Sequence, residues 1–250
     1  MTNKASETYW NKEYSTCKFH IAKKKDFIRR WIETHIAPLK GQPRTCLEAG
    51  CYPGRFLAVF GELGYELHGI DRVDNLDLLP EWLKQSGYRT GRFHKCDFNR
   101  FCPELKYDVV CSFGFIEHFT NWESILERHA ALVADNGYLV VEAPNFTGGF
   151  QYWLHSRFDK KNLARHHTPA MKVEKWADLL EAGGFEIIYA GYFGKFRFWT
   201  EPEPRRLSER LFLRLLRIMQ PALKVLLPRD KRLYSPFCGV IARRCVAKAA

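Results

Sequence analysis

Short apolar runs alternate with stretches of helical periodicity from residue 44 to residue 191, and this alternation constrains the fold more than any other feature of the chain. Residues 44–49, 66–71, 90–96, 107–112, 137–143 and 185–191 read as strands, and 237–245 as a last one. Residues 56–63, 76–85, 123–133 and 173–182 read as the helices between them. Glycines close several of these, such as Gly64 and Gly87. Ahead of the first strand, residues 23–36 carry Phe27, Ile28, Trp31, Ile32 and Ile36 on one helical side. Helices between short apolar strands imply right-handed crossovers. The expected fold is therefore α/β: a doubly wound, mostly parallel sheet with helices on both faces. Ligands of such sheets sit outside the carboxyl ends of the strands, where strand order reverses.

The informative residues fall at those ends. The first strand runs into LEAGCYPGRF, which places Glu48, Gly50, Cys51, Tyr52 and Gly54 at a strand-to-helix turn. Glycine there lets the backbone approach a ligand closely. The G-x-G-x-x-G spacing of a nicotinamide enzyme is absent. Asp71 ends the second strand, where a carboxylate can accept hydrogen bonds from ribose hydroxyls; the same residue also suits a helix N-cap. The third strand ends in HKCDF, so Asp97 offers an acceptor to an adenine amino group and Phe98 a face for its ring. The fourth continues as YDVVCSFGFIEHF, with Ser112, Phe113, Glu117 and His118 at its tip.

Together these tips resemble those of the class I S-adenosylmethionine-dependent methyltransferases, over about residues 45–185. LEAGCYPG is similar to that family's E/D-x-G-x-G-x-G loop, and HGID to the acidic end of its second strand. CDF resembles its adenine-contacting tip, DVVCSFGFIEH its fourth-strand segment, LVADNGYLVVEAPN its next helix–strand passage, and HTPAMKVEKWADLLEAGGFE a later helix. The resemblance implies S-adenosylmethionine as cofactor and a seven-stranded sheet whose last strand is antiparallel. It implies Glu48 and Gly50 at the methionine end, with Cys51 and Tyr52 in the same loop and Gly54 admitting the following helix. It implies Asp71 at the ribose, Arg72, Asp97 and Phe98 at the adenine, and Ser112 and Phe113 flanking the sulfonium. One residue departs from the pattern: Tyr52 stands where the family's loop has its middle glycine, and Pro53 stiffens the turn.

Methyl transfer requires an acceptor aligned with an activated methyl group, and a hydroxyl acceptor gains further from a positioned base. His118 is the first candidate base, a residue that also suits helix capping or a backbone bond. Glu117 is the second, as an orienting group. His166 and His167 follow the fifth strand; at least one is expected at the acceptor, and His167 is taken as the third candidate. No D/N-P-P-Y loop is present, which disfavours methylation of nucleobase amines. No metal-ligand spacing is evident, so no metal site is expected. The expected reaction is O-methylation of a small-molecule, glycan or lipid-linked acceptor.

Two segments stand outside the sheet pattern. Residues 144–169 lack clear periodicity and carry Phe146, Phe150, Tyr152, Trp153 and Phe158, a set suited to an acceptor wall or to a lid on the sheet rim. Residues 205–232 form a basic amphipathic helical insertion between the last two strands. Arg206, Arg210, Arg214 and Arg217 recur at helical spacing, with Leu207, Leu211, Phe212, Leu215, Leu216, Ile218 and Met219 covering most of the remainder, a pattern suited either to a membrane surface or to a core or dimer-packing helix with solvated arginines. The expected organisation is an N-terminal helical cap at 1–43, a cofactor-binding domain at 44–195 and 236–250, and the insertion at 196–235. YWNKEY at 9–14 is expected to fold over the cofactor.

Lys and Arg number 39 against 28 Asp and Glu, a formal charge of +11, which favours polyanionic partners. Because the basic residues of 205–232 are interleaved with leucines, an anionic membrane surface is the preferred partner. A nucleic-acid methyltransferase and a non-catalytic cofactor-binding protein, the latter motivated by Tyr52, are the alternatives. No apolar run reaches the roughly 18 residues of a membrane span. The eight cysteines are expected as reduced thiols and the protein as cytoplasmic, peripheral on the inner face of a membrane.

Overall fold

A computed structural model describes residues 4–38, 41, 44–103 and 105–245 of the chain. The outer bounds expected for the cap, 1–43, and for the cofactor domain, up to 250, fall outside the described residues.

The strands are β1 (Thr45–Ala49), β2 (Glu66–Asp71), β3 (Thr90–Lys95), β4 (Tyr107–Phe113), β5 (Val133–Pro144), β6 (Phe185–Phe193) and β7 (Phe237–Arg244). They form one seven-stranded sheet in the order β3-β2-β1-β4-β5-β7-β6. All neighbours pair in parallel except β7, which runs antiparallel to both β5 and β6. Order reverses between β1 and β4, so the crevice for a ligand lies over their carboxyl ends. The expected α/β sheet is present, with its last strand antiparallel.

Helices cover both faces. On one face α2 (Phe27–His35), α3 (Leu57–Glu62) and α4 (Leu78–Gln85) bury Trp31, Ile32, Phe60 and Leu83 against Cys46, Leu67 and Val109. On the other, α5 (Trp122–Ala131) and α8 (Val173–Ala182) bury Ile125, Leu126, Trp176 and Leu180 against Leu47, Val110 and Leu139. The first of these helices starts later than its periodicity suggests. Asp26 caps it, its carboxylate accepting from the N–H of Ile28 at 3.0 Å and of Arg29 at 3.4 Å, so Lys23–Lys25 precede it. Strand β5 begins at Val133 rather than 137. Asn136 adopts a left-handed φ of 59°, and the register against β4 shifts between Tyr107 and Val109, so the Asn-Gly pair forms a bulge inside one long strand.

The N-terminal segment divides in two. Helix α2 belongs to the sheet layers, with Trp31 stacked on Phe193 at 4.8 Å. Helix α1 (Glu7–Tyr14) crosses the strand tips instead. Residues 144–169 fold as α6 (Gly149–Phe158) and α7 (Lys160–Ala164), followed by a 3-10 turn at Thr168–Met171. The insertion contains one long helix, α9 (Leu207–Leu226), with Pro221 inside it. It packs on α6 through a satellite core of Leu154, Phe158, Phe196, Leu216 and Tyr234.

Candidate active site

A cavity of about 210 Å³ opens over the ends of β1 to β4. Glu48, Gly50, Cys51, Tyr52, Gly54, Asp71, Arg72, Asp97, Phe98 and Phe113 line it, together with His118. The geometry at each tip follows from the local sequence. Gly50 turns the chain out of β1 with φ +70°, and a Cβ there would stand 2.6 Å from the Phe115 ring. Only glycine meets both demands without strain. Asp71 then fastens this turn to the end of β2. It accepts from the N–H of Tyr52 at 2.9 Å, of Arg72 at 2.7 Å and of Val73 at 3.3 Å. A carboxylate offers about four acceptor positions, so one remains toward the cavity where a bidentate ribose clamp would use two. Burial holds Asp71 above the usual carboxylate range, against the pull of these N–H groups.

Glu48 is buried at the tip of β1, and its Oε2 has no hydrogen-bond partner. Burial, then the charge of Asp71, pushes its carboxyl well above the ordinary range. At the tip of β3, Asp97 caps the 3-10 turn Phe98–Arg100 by accepting from Asn99 N–H at 2.9 Å. Arg72 lies between Asp97, 3.5 Å away, and an ion pair with Glu7 of α1. The Tyr52 ring stands against Tyr14 and Phe19, with centroids 5.4 and 5.5 Å away. Its side chain thereby joins the loop after β1 to the N-terminal segment.

Ser112 is the cofactor candidate that the structure does not bring to the cavity. It is fully buried, and strand alternation turns it to the opposite face of the sheet from Phe113. Of the catalytic candidates, His118 reaches the cavity wall, where Trp10 of α1 meets its ring edge-on at 5.1 Å. Glu117 is buried behind it and does not line the cavity. His167 points elsewhere: Lys4 and Glu123 are the charges that act on its ring. Its neighbour His166, which does not line the cavity, lies behind the wall with its ring centroid 4.8 Å from that of His118. Burial lowers His118 to about 4 and His166 to about 3, and raises Glu117 to about 8.

Three covering segments meet above this end of the cavity. Arg165, ahead of His166, pairs with Glu201 from the stretch after β6 and stacks over the Tyr9 ring at 4.4 Å. The Tyr9 hydroxyl donates to the same Glu201 at 3.4 Å.

The methyltransferase-domain family matches residues 20–190. The chain belongs to this family. Among solved structures, an S-adenosylmethionine-dependent methyltransferase of Archaeoglobus fulgidus is similar, at 20% identity over 87% of this chain and 93% of that one, with a TM-score of 0.56. The magnesium protoporphyrin IX methyltransferase of Synechocystis PCC 6803 with bound S-adenosylhomocysteine is 14% identical over 87% of this chain and 80% of its own, with a TM-score of 0.53. The cyclase SpnF shares the fold at 13% identity, 98% and 97% coverage, and a TM-score of 0.58. No curated protein sequence matches the chain. The protein is an S-adenosylmethionine-dependent methyltransferase.

The residues at the cavity fit that cofactor. Its cationic groups suit a cavity whose wall holds Glu48 and Asp71, the first with an orphaned buried oxygen. Gly50, whose backbone no side chain could share with the Phe115 ring, brings the main chain of the turn to the cavity wall. The segment 9–14, expected to fold over the cofactor, does cross the strand tips as α1, with Glu7, Trp10 and Tyr14 lining the cavity; what the sequence did not separate is His166, which lies beside His118, from His167. Both histidines follow the fifth strand side by side, and no local signal tells them apart.

Proposed function

We propose that this methyltransferase methylates a hydroxyl of a small-molecule, glycan or lipid-linked acceptor that it meets at an anionic membrane surface. The observation that carries the reading is the free face of α9. Leu207, Leu211, Leu215, Ile218, Val225 and Leu226 are all exposed, and helical spacing gathers them into an arc of about 100°. Arg206, Arg210, Arg214 and Arg217, also exposed, occupy the adjoining arc. Leu216 is buried on the remaining side, against α6. Acyl contact beside headgroup charge is the pattern of a helix lying in a bilayer interface. Beneath the arginine row, Arg210, Arg214 and Arg217 border a cavity of about 380 Å³ with Phe198, Trp199 and Gln220, a lining suited to an anionic headgroup. No helix of the described residues is long and apolar enough to cross a membrane.

The helix is tied to the acceptor side. Its Phe212 stacks on Phe158 of α6 at 4.7 Å, and Glu209 pairs with Arg157 at 2.6 Å. The chain then leads from α6 through α7 to Arg165 and His166. When bound, S-adenosylmethionine supplies an activated methyl group. Glu48, Gly50, Asp71, Asp97, Phe98 and Phe113 are the residues placed to hold it, while Trp10 and His118 close the acceptor end against water. His118 Nδ1 is committed to the Arg165 carbonyl at 3.0 Å, so its Nε2 is the ring nitrogen that carries the lone pair.

Methyl-labelled cofactor offered with a lipid extract and, separately, with a water-soluble extract of the same cells tests the reading. Label should enter the lipid fraction, and more so with anionic vesicles present. Label in the aqueous fraction alone, or transfer to RNA, overturns it.

A further inference from the structure

The residues at the His118 end form a second arrangement that the family assignment does not contain. Glu117 and His118 lie on the 3-10 turn Ile116–His118 after β4, and His166 lies beyond α7. One ligand atom from each falls within 4.8 Å of the others. His118 Nε2 is 3.9 Å from Glu117 Oε1, and His166 Nε2 is 4.0 Å from the same oxygen. These separations are too long for hydrogen bonds. They are the right order for atoms facing one another across an ion, since a point equidistant from all three lies at most about 2.5 Å from each, near the 2.0–2.2 Å of first-row ligand bonds.

Proton placement agrees. His118 Nδ1 is 3.0 Å from the Arg165 carbonyl oxygen, and His166 Nδ1 is 2.7 Å from that of Asn162. A carbonyl only accepts, so both Nδ1 atoms carry hydrogen and both Nε2 atoms present lone pairs to the gap. Imidazoles that ligate metals are held in this way, by donating the other ring N–H to a backbone carbonyl. The backbone is fixed from both sides: His167 N–H donates to the Glu117 carbonyl at 2.6 Å, and Lys4 N–H to that of His118 at 2.8 Å. Glu117 Oε2 is buried without a partner. Glu142 on β5, also buried, is held above the usual carboxylate range by burial and then by the charge of Glu117.

We propose that Glu117, His118 and His166 form a binding site for a first-row divalent transition ion, of the two-histidine, one-carboxylate type. Imidazole nitrogen with a single carboxylate favours such ions over magnesium or calcium. Three protein ligands leave at least one position open. Because His118 is shared with the cavity wall, an ion here would stand at the acceptor end, able to fix an oxygen donor of the acceptor. In that respect the inference rests on the methyltransferase reading; the binding itself does not.

The probe is cobalt(II) added to chelator-treated, dialysed protein. One equivalent should bind with visible absorption of a low-coordinate nitrogen–oxygen site, and zinc should displace it. His166→Ala should weaken binding at least about a hundredfold, and Glu117→Gln should do likewise, while His20→Ala, at an exposed histidine, should leave it unchanged. Circular dichroism and S-adenosylhomocysteine calorimetry on each variant identify the one that keeps its fold, and that variant is decisive. Absence of saturable cobalt binding in the wild type, or binding equal in wild type and a folded His166→Ala or Glu117→Gln variant, overturns the proposal. Failure of the wild type to bind S-adenosylhomocysteine would instead strike the cofactor site and leave the metal result standing.

Discussion

Replacing Arg210, Arg214 and Arg217 together by glutamine isolates the charge on α9 from its packing. Among the described residues none forms an ion pair with these three, and all are exposed, so the fold should lose little, within about 0.5 kcal/mol each. Each basic side chain near an anionic bilayer contributes about 1 kcal/mol. Three removed charges therefore amount to about 3 kcal/mol, or about 150-fold in partitioning. The apolar arc is a separate quantity. Leu211, Leu215 and Ile218 are 57%, 54% and 69% exposed, and re-burying about half of each in acyl chains yields on the order of 1 kcal/mol apiece. Their replacement by serine should weaken binding to a similar degree. Salt separates the two: screening removes the arginine effect at high ionic strength and leaves the leucine effect in place. Flotation with vesicles of mixed neutral and anionic lipid, at low and high salt, reads both. The reasoning fails if the glutamine variant floats like the wild type at low salt. It fails equally if the wild type does not float, for then the exposed face of α9 serves some other contact.

Gly50→Ala places a Cβ at φ +70° and 2.6 Å from Phe115; strain of about 1–2 kcal/mol plus the displaced ring should lower S-adenosylhomocysteine affinity at least about tenfold by calorimetry. An unchanged affinity would show that the turn has another way to relax. Arg29 is 2% exposed and donates to Glu33 and the Ala22 carbonyl, each at 2.8 Å, and to Glu62; Arg29→Met should destabilise by about 3 kcal/mol in denaturant unfolding. His129 is fully buried and lowered by desolvation to about 4, with Nδ1 donating to the Ile125 carbonyl at 2.7 Å. Its folded value lies below its unfolded value of 6.5, so the unfolded chain binds more protons and stability falls as pH drops from about 6.5 toward 4. Over that window His129→Leu should lose about 3 kcal/mol less than the wild type, and equal slopes in unfolding titrations would refute the assignment.

Why the sheet was legible and parts of its rim were not comes down to what periodicity reports. Residues such as Leu47, Val110 and Leu139 repeat in apolar runs because each is buried between layers, and the order of those runs with their crossovers fixes the strand tips in space. Glu48, Asp71 and Asp97 were legible because each stands at the end of such a run. Helix α6 inverts the rule. Its buried positions include Gln151, whose amide donates to the carbonyls of Arg197 and Tyr234, and His155, paired with buried Asp159 at 2.9 Å. Tyr152 and Trp153, by contrast, are about half exposed. A helix that buries amides and shows aromatic rings has no apolar stripe to find. Ser112 failed for a simpler reason: the tip of β4 was legible, but the alternation of its last two residues decides which one meets the cavity.

The same limit governs Glu117, His118 and His166. Two are adjacent in sequence and the third lies almost fifty residues on, after two helices that periodicity does not reveal. What joins them is hydrogen bonding of His118 to the Arg165 carbonyl and of His167 N–H to the Glu117 carbonyl, a long-range polar match that leaves no mark on hydropathy. Spacing exposes a metal site when its ligands share a helix or hairpin. Here two come from the turn after β4 and the third from beyond α7, and only the folded chain makes them neighbours. The rim that the sequence describes least is therefore also where both proposals for this methyltransferase, the membrane-facing helix and the ion site, rest.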